Sequence, residues 1–346
     1  MRALQLIEPG RLEVREIPVP EIAADEVLVR VAGAGICHSD VRIRYRENPA
    51  FEFPLTLGHE TAGHVAKIGA GVSGFAEGDA VLVYLVWACG RCRACVSGRD
   101  NVCMTAAGRH GYAPTPGLGP AGGMAEFIAV NARFLEPIGT LDAVQAAPLA
   151  DAGLTPMHAI NGARHRLTPG GTAVVIGLGG LGHVGIQILA ATTAMRIVAL
   201  DTDESKLALA HHHGAEIALR SDDTASEQIL DLTDGYGADA VFDFVGVQST
   251  IDLASSVIAP DGALRLIGLG GGELIYSANP TTQILPWGVD VRRSFGGTRN
   301  DQRQILDLAE QGKVRVDVVP YPLDDGVRAF DDLEAGVVTG RAVLAP

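Results

Sequence analysis

The sequence predicts two units of different class, a mostly-β unit and an α/β unit with a doubly wound parallel sheet. Three observations carry that expectation. At 346 residues the chain has about twice the length of a typical domain, enough for two separate cores. Its first 150 or so residues show short apolar runs separated by glycine, proline and acidic turns, a pattern that reads as strands. From about Gly170 onward, apolar strands alternate with helix-like segments, which builds right-handed βαβ units around a parallel sheet.

In order along the chain, the β-rich part contains the runs 27–31, 62–68 and 80–83. The alternating part has strands expected at 172–176, 196–200, 240–244 and 263–267, with helices at 182–194, 205–213, 225–233 and 249–258. A strand-like 291–295, a helical 301–311 and a last strand 341–344 are too few for a third domain. They are expected to return to the first, giving units of 1–153 with 290–346, and of 154–289. No internal repeat or low-complexity tract interrupts this order.

Hydrophobic residues make up 47% and charged ones 20%, a globular composition. The net charge of -14 disfavours nucleic acid as a partner, because phosphates are neutralised by Lys and Arg. Residues 1–10 hold no apolar core of a signal peptide, and no run of about 20 apolar residues occurs, so neither secretion nor a membrane span is expected and the cytoplasm is the default location.

Five cysteines stand at 37, 89, 92, 95 and 103. The spacing Cys89-x2-Cys92-x2-Cys95-x7-Cys103 puts four thiolates within reach of one tetrahedral ion, and zinc is the expected metal. A closed all-sulfur sphere leaves no open position, so this ion should hold a loop and carry no chemistry. An iron–sulfur cluster is the competing reading, disfavoured by the x7 gap and by the lack of a following proline. The fifth cysteine lies in Gly35-Ile36-Cys37-His38-Ser39-Asp40, with Gly58-His59-Glu60 22 residues further on. Cys37 and His59 are suitable ligands for a second zinc that keeps an open position.

Gly177-Leu178-Gly179-Gly180-Leu181-Gly182 follows the apolar strand at 172–176 and opens a helix. There Gly177 permits a tight turn, Gly179 lets backbone approach a pyrophosphate, and Gly182 lets helix pack on strand, while the helix start offers N–H groups to the phosphates. Asp201 ends the next strand 19 residues past Gly182, placed to accept hydrogen bonds from the adenosine ribose hydroxyls. The expected cofactor is therefore NAD, although Lys206 is near enough in sequence to reach a 2′-phosphate.

Together, GICHSD, the GHE step, the four-cysteine lobe and GLGGLG, in this order, resemble the zinc-dependent medium-chain alcohol dehydrogenases over essentially the whole chain. Pro148-Leu149-Ala150-Asp151-Ala152-Gly153-Leu154-Thr155 is similar to the bacterial NAD-dependent secondary-alcohol dehydrogenases in particular. The resemblance implies a GroES-like catalytic domain and a Rossmann domain, with two zinc ions per chain. It assigns Cys37, His59 and Asp151 to a catalytic zinc, with Glu60 as an alternative third ligand. Asp151 could instead cap the following helix.

By the same resemblance Ser39 accepts the alcohol proton, and His38 touches the nicotinamide ribose and passes the proton outward. His38-Ser39-Asp40 can equally be a helix start with Ser39 or Asp40 as its cap. Thr155 and Arg341 match positions near the nicotinamide and the pyrophosphate. Phe51, Trp87, Leu118 and Phe295 are implied to line an apolar substrate cleft, so a neutral, preferably secondary alcohol or its ketone is expected. A polyol or sugar dehydrogenase, and an idle NAD-binding protein, are the competing readings. The resemblance further implies a homodimer or homotetramer formed through the nucleotide-binding domains. His211-His212-His213 ends a predicted helix, where histidines suit the dipole better than a metal.

Overall fold

The computed structural model describes residues 1–46, 52–279 and 281–346. The chain divides into two compact units, Met1–Leu154 with Gly296–Pro346, and Thr155–Phe295.

In the first unit the apolar runs pair as expected. A seven-stranded sheet holds Val318–Pro322, Arg341–Ala345, Glu26–Gly35, Glu60–Ile68, Ala80–Val83 and Leu135–Pro137 in that order, with Phe127–Asn131 added beside Glu26–Gly35. A smaller sheet joins Arg11–Glu16, Arg2–Glu8 and Leu55–Thr56. Leu4, Leu6, Val29, Ile36, Val83, Phe330 and Leu344 are fully buried between them. Each such aliphatic or aromatic side chain contributes about 1.5–3 kcal/mol by leaving water. Register then positions chemistry: Gly35 stands opposite Glu60 on one side and Val343 on the other, so Cys37, Glu60 and Arg341 gather at one end of the sheet. Gly35 must lack a side chain, since a Cβ there would lie 2.0 Å from the Glu60 carboxylate.

The second unit is a six-stranded sheet in the order Ile217–Arg220, Arg196–Asp201, Thr172–Ile176, Ala238–Asp243, Ile258–Leu266, Asp290–Arg293, parallel throughout. In chain order this is 3-2-1-4-5-6, the doubly wound arrangement whose switch point lies beside the first strand. Helices Gly182–Thr192, Glu204–Ala210, Ala225–Leu232 and Gln248–Val257 occupy the expected places.

Two differences from expectation have physical causes. Residues 290–295, expected to return to the first unit, instead supply the sixth strand, and the chain leaves this unit only after Phe295. Arg265 decides this: its fully buried guanidinium donates to the Asp290 carboxylate, the Asp290 carbonyl and the Gly162 carbonyl, each at 2.7 Å. The edge strand Ile217–Arg220 was not expected because it is four residues long and buries none of them completely. Among the described residues no helix is long and apolar enough to cross a membrane.

Candidate active site

Cys37 leaves the strand Glu26–Gly35 in extended conformation and caps the helix His38–Arg44. The cap is thus Cys37 rather than Ser39 or Asp40. Asp40 occupies the third helical position, where its Oδ2 accepts the Cys37 N–H at 2.9 Å and so fixes the sulfur's backbone. His59 follows Gly58, whose φ of +103° and close approach to Met124 backbone admit no side chain. Asp151 ends the short turn Ala147–Ala150, and the next helix begins only at Leu154, so Asp151 is not its cap.

These three segments bring ligand atoms of Cys37, His59 and Asp151 within 4.8 Å of one another. Cys37 Sγ lies 3.4 Å from Asp151 Oδ2, and His59 Nε2 lies 3.6 Å from the same oxygen. For tetrahedral zinc the ordinary bond lengths require sulfur–oxygen and nitrogen–oxygen edges of about 3.6 and 3.4 Å. The other ring nitrogen, His59 Nδ1, faces Asp40 Oδ1 at 3.2 Å, and both atoms are buried without any further partner. A carboxylate in that position sets the imidazole tautomer and leaves Nε2 free to bind a cation.

Charge points the same way. Glu60, Asp151 and the Cys37 sulfur surround the Arg341 guanidinium, and a further carboxylate, Asp40, faces His59; Asp40 and Glu60 are wholly buried. Buried anions need compensation, and a divalent cation at the triplet supplies it. Burial works against a charged His59, yet the carboxylates of Asp40 and Asp151 and the Cys37 sulfur push its pKa well above the ordinary range, another sign of a site built for positive charge.

Glu60, the alternative ligand, is turned away from the triplet. Its Oε2 accepts Arg341 Nε at 2.8 Å, and its Oε1 accepts Arg341 Nη2 and the Ala152 N–H at 3.0 Å. Burial opposes the charge on Arg341, but Glu60, Cys37 and Asp151 outweigh it and raise its pKa well above normal. Arg341 is 2% exposed and also reaches Asp151 at 3.4 Å, so it lies against both Glu60 and Asp151.

The lobe cysteines meet a similar distance test. Cys89 and Cys95 sulfurs are 3.9 Å apart, Cys92 and Cys95 3.5 Å, Cys92 and Cys103 4.0 Å. A tetrahedron with zinc–sulfur bonds of about 2.3 Å has edges of about 3.8 Å, whereas a disulfide needs about 2.05 Å. Backbone N–H groups of Arg91 and Cys92 point at Cys89, and that of Ala106 at Cys103. Backbone hydrogen bonds bring Cys89 to about 7 and Cys92 to about 5, whereas burial pushes Cys95 up to about 12.

In the second unit Gly177 turns at φ +87°, and a Cβ there would strike Val245. A Cβ on Gly182 would overlap the Gly177 carbonyl, whereas one on Gly179 would meet nothing within 4 Å. Open space at Gly179 beside a closed turn is what a pyrophosphate lying against backbone requires. Gly180 is half-buried and Leu181 caps the helix Gly182–Thr192. Asp201 accepts the N–H groups of Leu178 at 2.7 Å and Asp203 at 3.0 Å, tying the strand end to the glycine turn. Lys206 Nζ lies 4.0 Å from Asp201.

Ser39 Oγ is 3.6 Å from Cys37 Sγ, and His38 is exposed at the start of the same helix. Thr155 is buried in the helix Leu154–Gly162. Trp87 stacks on Phe134, with 5.5 Å between centroids, and together with Leu118 packs against the first unit's core. Phe295 is half-buried at the end of the second unit, and Phe51 lies outside the described residues. Sequence reading missed Asp40 as the partner of His59. The sequence offers Asp40 only as a possible helix cap; its three-residue offset from Cys37 is the spacing of a capping box, but nothing local points to the histidine.

Residues 23–140 match the alcohol dehydrogenase GroES-like domain, and residues 180–311 the zinc-binding dehydrogenase domain. A D-arabinose 1-dehydrogenase (NADP(+)) of Saccharolobus solfataricus is 34% identical over 97% of this chain and 94% of its own. An NAD-dependent alcohol dehydrogenase of Sulfurisphaera tokodaii is 35% identical over the whole of both chains. The crystal structure of the alcohol dehydrogenase from Aeropyrum pernix superposes with a TM-score of 0.91 at 34% identity, covering all of both chains. With one site of four cysteines and one of cysteine, histidine and aspartate, the fold is that of a zinc-binding dehydrogenase. The chain belongs to the zinc-dependent medium-chain alcohol dehydrogenase family.

Proposed function

We propose that this chain is an NAD-linked zinc alcohol dehydrogenase that interconverts neutral, preferably secondary alcohols and their ketones. The Cys37–His59–Asp151 triplet carries this reading, because it combines three ligands with Ser39 beside them. Zinc held there supplies a Lewis acid that makes an alcohol hydroxyl more acidic, and NAD supplies the hydride acceptor. Ser39 Oγ would take up the hydroxyl proton as it releases its own, and His38, exposed one residue earlier, would carry the released proton to solvent. Asp40 keeps the His59 ring oriented, and Arg341 with Glu60 holds Asp151 from behind.

The charged groups that touch the ligands, Asp40, Glu60 and Arg341, are buried and engaged with the site itself. None is left for a substrate carboxylate or phosphate, which supports a neutral substrate. For the cofactor, Asp201 at the end of its strand favours a free ribose over a 2′-phosphate, and Lys206 is drawn toward that same carboxylate. The NADP-dependent relative makes this a choice to measure rather than inherit. The similarity to an enzyme of D-arabinose supports a second reading, an aldose or polyol substrate at the same triplet.

Initial rates at 340 nm on 2-alkanols, 1-phenylethanol, sorbitol and D-arabinose, each with NAD and NADP, test both readings. Higher kcat/KM on the 2-alkanols with NAD is the expected result; a clear preference for the sugars favours the second reading, and no activity on any of them sinks both. A homodimer or homotetramer formed through the second unit is part of the proposal. It is supported by the terminal position of the strand Asp290–Arg293 in its sheet and by exposed Ile275, Tyr276, Ile284 and Trp287 in the same unit.

A further inference from the structure

Between Cys95 and Cys103 the lobe carries a half-buried carboxylate, Asp100, that faces away from the sulfurs. Its Oδ2 accepts the hydroxyl of Tyr84 at 2.6 Å, and its Oδ1 accepts the backbone N–H of Arg299 at 3.3 Å. Arg299 is the first residue of the helix Arg299–Glu310, so a lobe carboxylate satisfies one of the four N–H groups that every helix start leaves unpaired. Tyr84 is 1% exposed, and its single hydroxyl proton is shared between Asp100 and the Gly297 carbonyl, 2.8 Å away, which ties down the approach to that helix.

One turn further along the same helix lies Gln302, fully buried. Its Nε2 donates to the Leu149 carbonyl at 3.1 Å, within the turn Ala147–Ala150 that ends on Asp151. Ile305, also fully buried, packs so closely on the far side of that turn that a Cβ on Gly153 would come within 2.8 Å of it. The helix therefore grips both flanks of Asp151. Gln302 Oε1 meanwhile has no partner, and a buried amide oxygen left unpaired costs about 1–3 kcal/mol. An apolar side chain of the same length would remove that cost but take the donor from the Leu149 carbonyl, a loss of the same order, so stability alone does not select the glutamine.

We propose that the helix Arg299–Glu310 is a positioning strut for the third zinc ligand, with Gln302 holding the Asp151 turn and Asp100 anchoring the strut to the four-cysteine lobe. The lobe then has a second consequence besides local stability, since it sets how firmly Asp151 is presented. Gln302 and Asp100 are positioning residues, because their side chains act on Asp151 through backbone and bond to no ligand atom of either set. The proposal rests on zinc binding at the Cys37–His59–Asp151 triplet.

The test uses the full chain loaded with zinc or cobalt(II), as wild type, Gln302→Met and Asp100→Asn. Cobalt in a one-sulfur site and in a four-sulfur site absorbs differently in the visible range, so the two sites are read separately. For Gln302→Met the expected result is thermal stability near that of wild type, altered one-sulfur bands, and about tenfold faster loss of that ion to a chelator, the scale found for groups that orient ligands. Asp100→Asn should weaken the same site in the same direction while retaining its four-sulfur bands. Unchanged one-sulfur bands and ion release in both variants would overturn the proposal, and so would a Gln302→Met protein that loses stability and both ions together. A wild-type chain that takes up no ion at the triplet would instead defeat the metal reading on which the proposal stands, a failure visible before any variant is made.

Discussion

Asp151 and Glu60 are two acids beside one histidine, and their environments set them different tasks. Asp151 offers an oxygen to the triplet, while both oxygens of Glu60 are taken by Arg341 and backbone. Asp151→Asn should lower kcat/KM by more than about a hundredfold, since groups that merely orient ligands are worth about 10–100-fold, and should remove one zinc by elemental analysis. Glu60→Ala should act on folding first. It leaves the Arg341 charge buried without its main partner, which costs about 3–5 kcal/mol and is read as a fall in the denaturant midpoint. At the cofactor, Asp201→Ser should raise KM for NAD and narrow the gap to NADP, measured as the ratio of the two kcat/KM values. The distinction between Asp151 and Glu60 was not legible in the sequence. GHE put Glu60 next to His59 along the chain, but alternation in the strand Glu60–Ile68 and the arrival of Arg341 from 281 residues away determine what its carboxylate meets.

Among the elements, the four-cysteine lobe was legible because its ligands are local. Sulfur spacing within 15 residues leaves few geometries, and the observed edges of 3.5–4.0 Å are those of a single tetrahedral ion. Cys103→Ser should lower the melting temperature with little change in NAD affinity, measured by fluorescence titration on the folded fraction.

The loop after the strand Ala238–Asp243 makes a different prediction. Burial pushes Asp243 above its ordinary range, against the opposing N–H groups of Gly246 and Val245 and the Thr250 hydroxyl. A carboxyl whose folded pKa exceeds its unfolded value loses stability as pH rises from the unfolded value, about 3.9, to the folded one. Melting temperatures from pH 4 to 8 should therefore favour Asp243→Asn over wild type increasingly as pH rises through that window. A constant difference would contradict the burial argument. Neither Asp243 nor the edge strand at Ile217–Arg220 stood out in the sequence, since one is an ordinary strand-end acid and the other has no alternation to detect.

For the whole molecule, elemental analysis should give two zincs per chain, and light scattering should give two or four chains per particle at micromolar concentration. The sequence by itself determined the two-unit plan, the doubly wound parallel sheet, the glycine turn and the four-sulfur lobe. Each of these is written in short-range periodicity, in glycine placement or in cysteine spacing, where local geometry allows few outcomes. Only the tertiary structure decided that residues 290–295 close the parallel sheet, because that depends on a buried arginine finding Asp290 25 residues away. It also decided that Asp40 serves His59, that Glu60 serves Arg341, and that a helix beginning at residue 299 grips the Asp151 turn. Those roles belong to side chains whose partners lie tens to hundreds of residues distant, and contacts of that kind exist only once the chain has closed on itself.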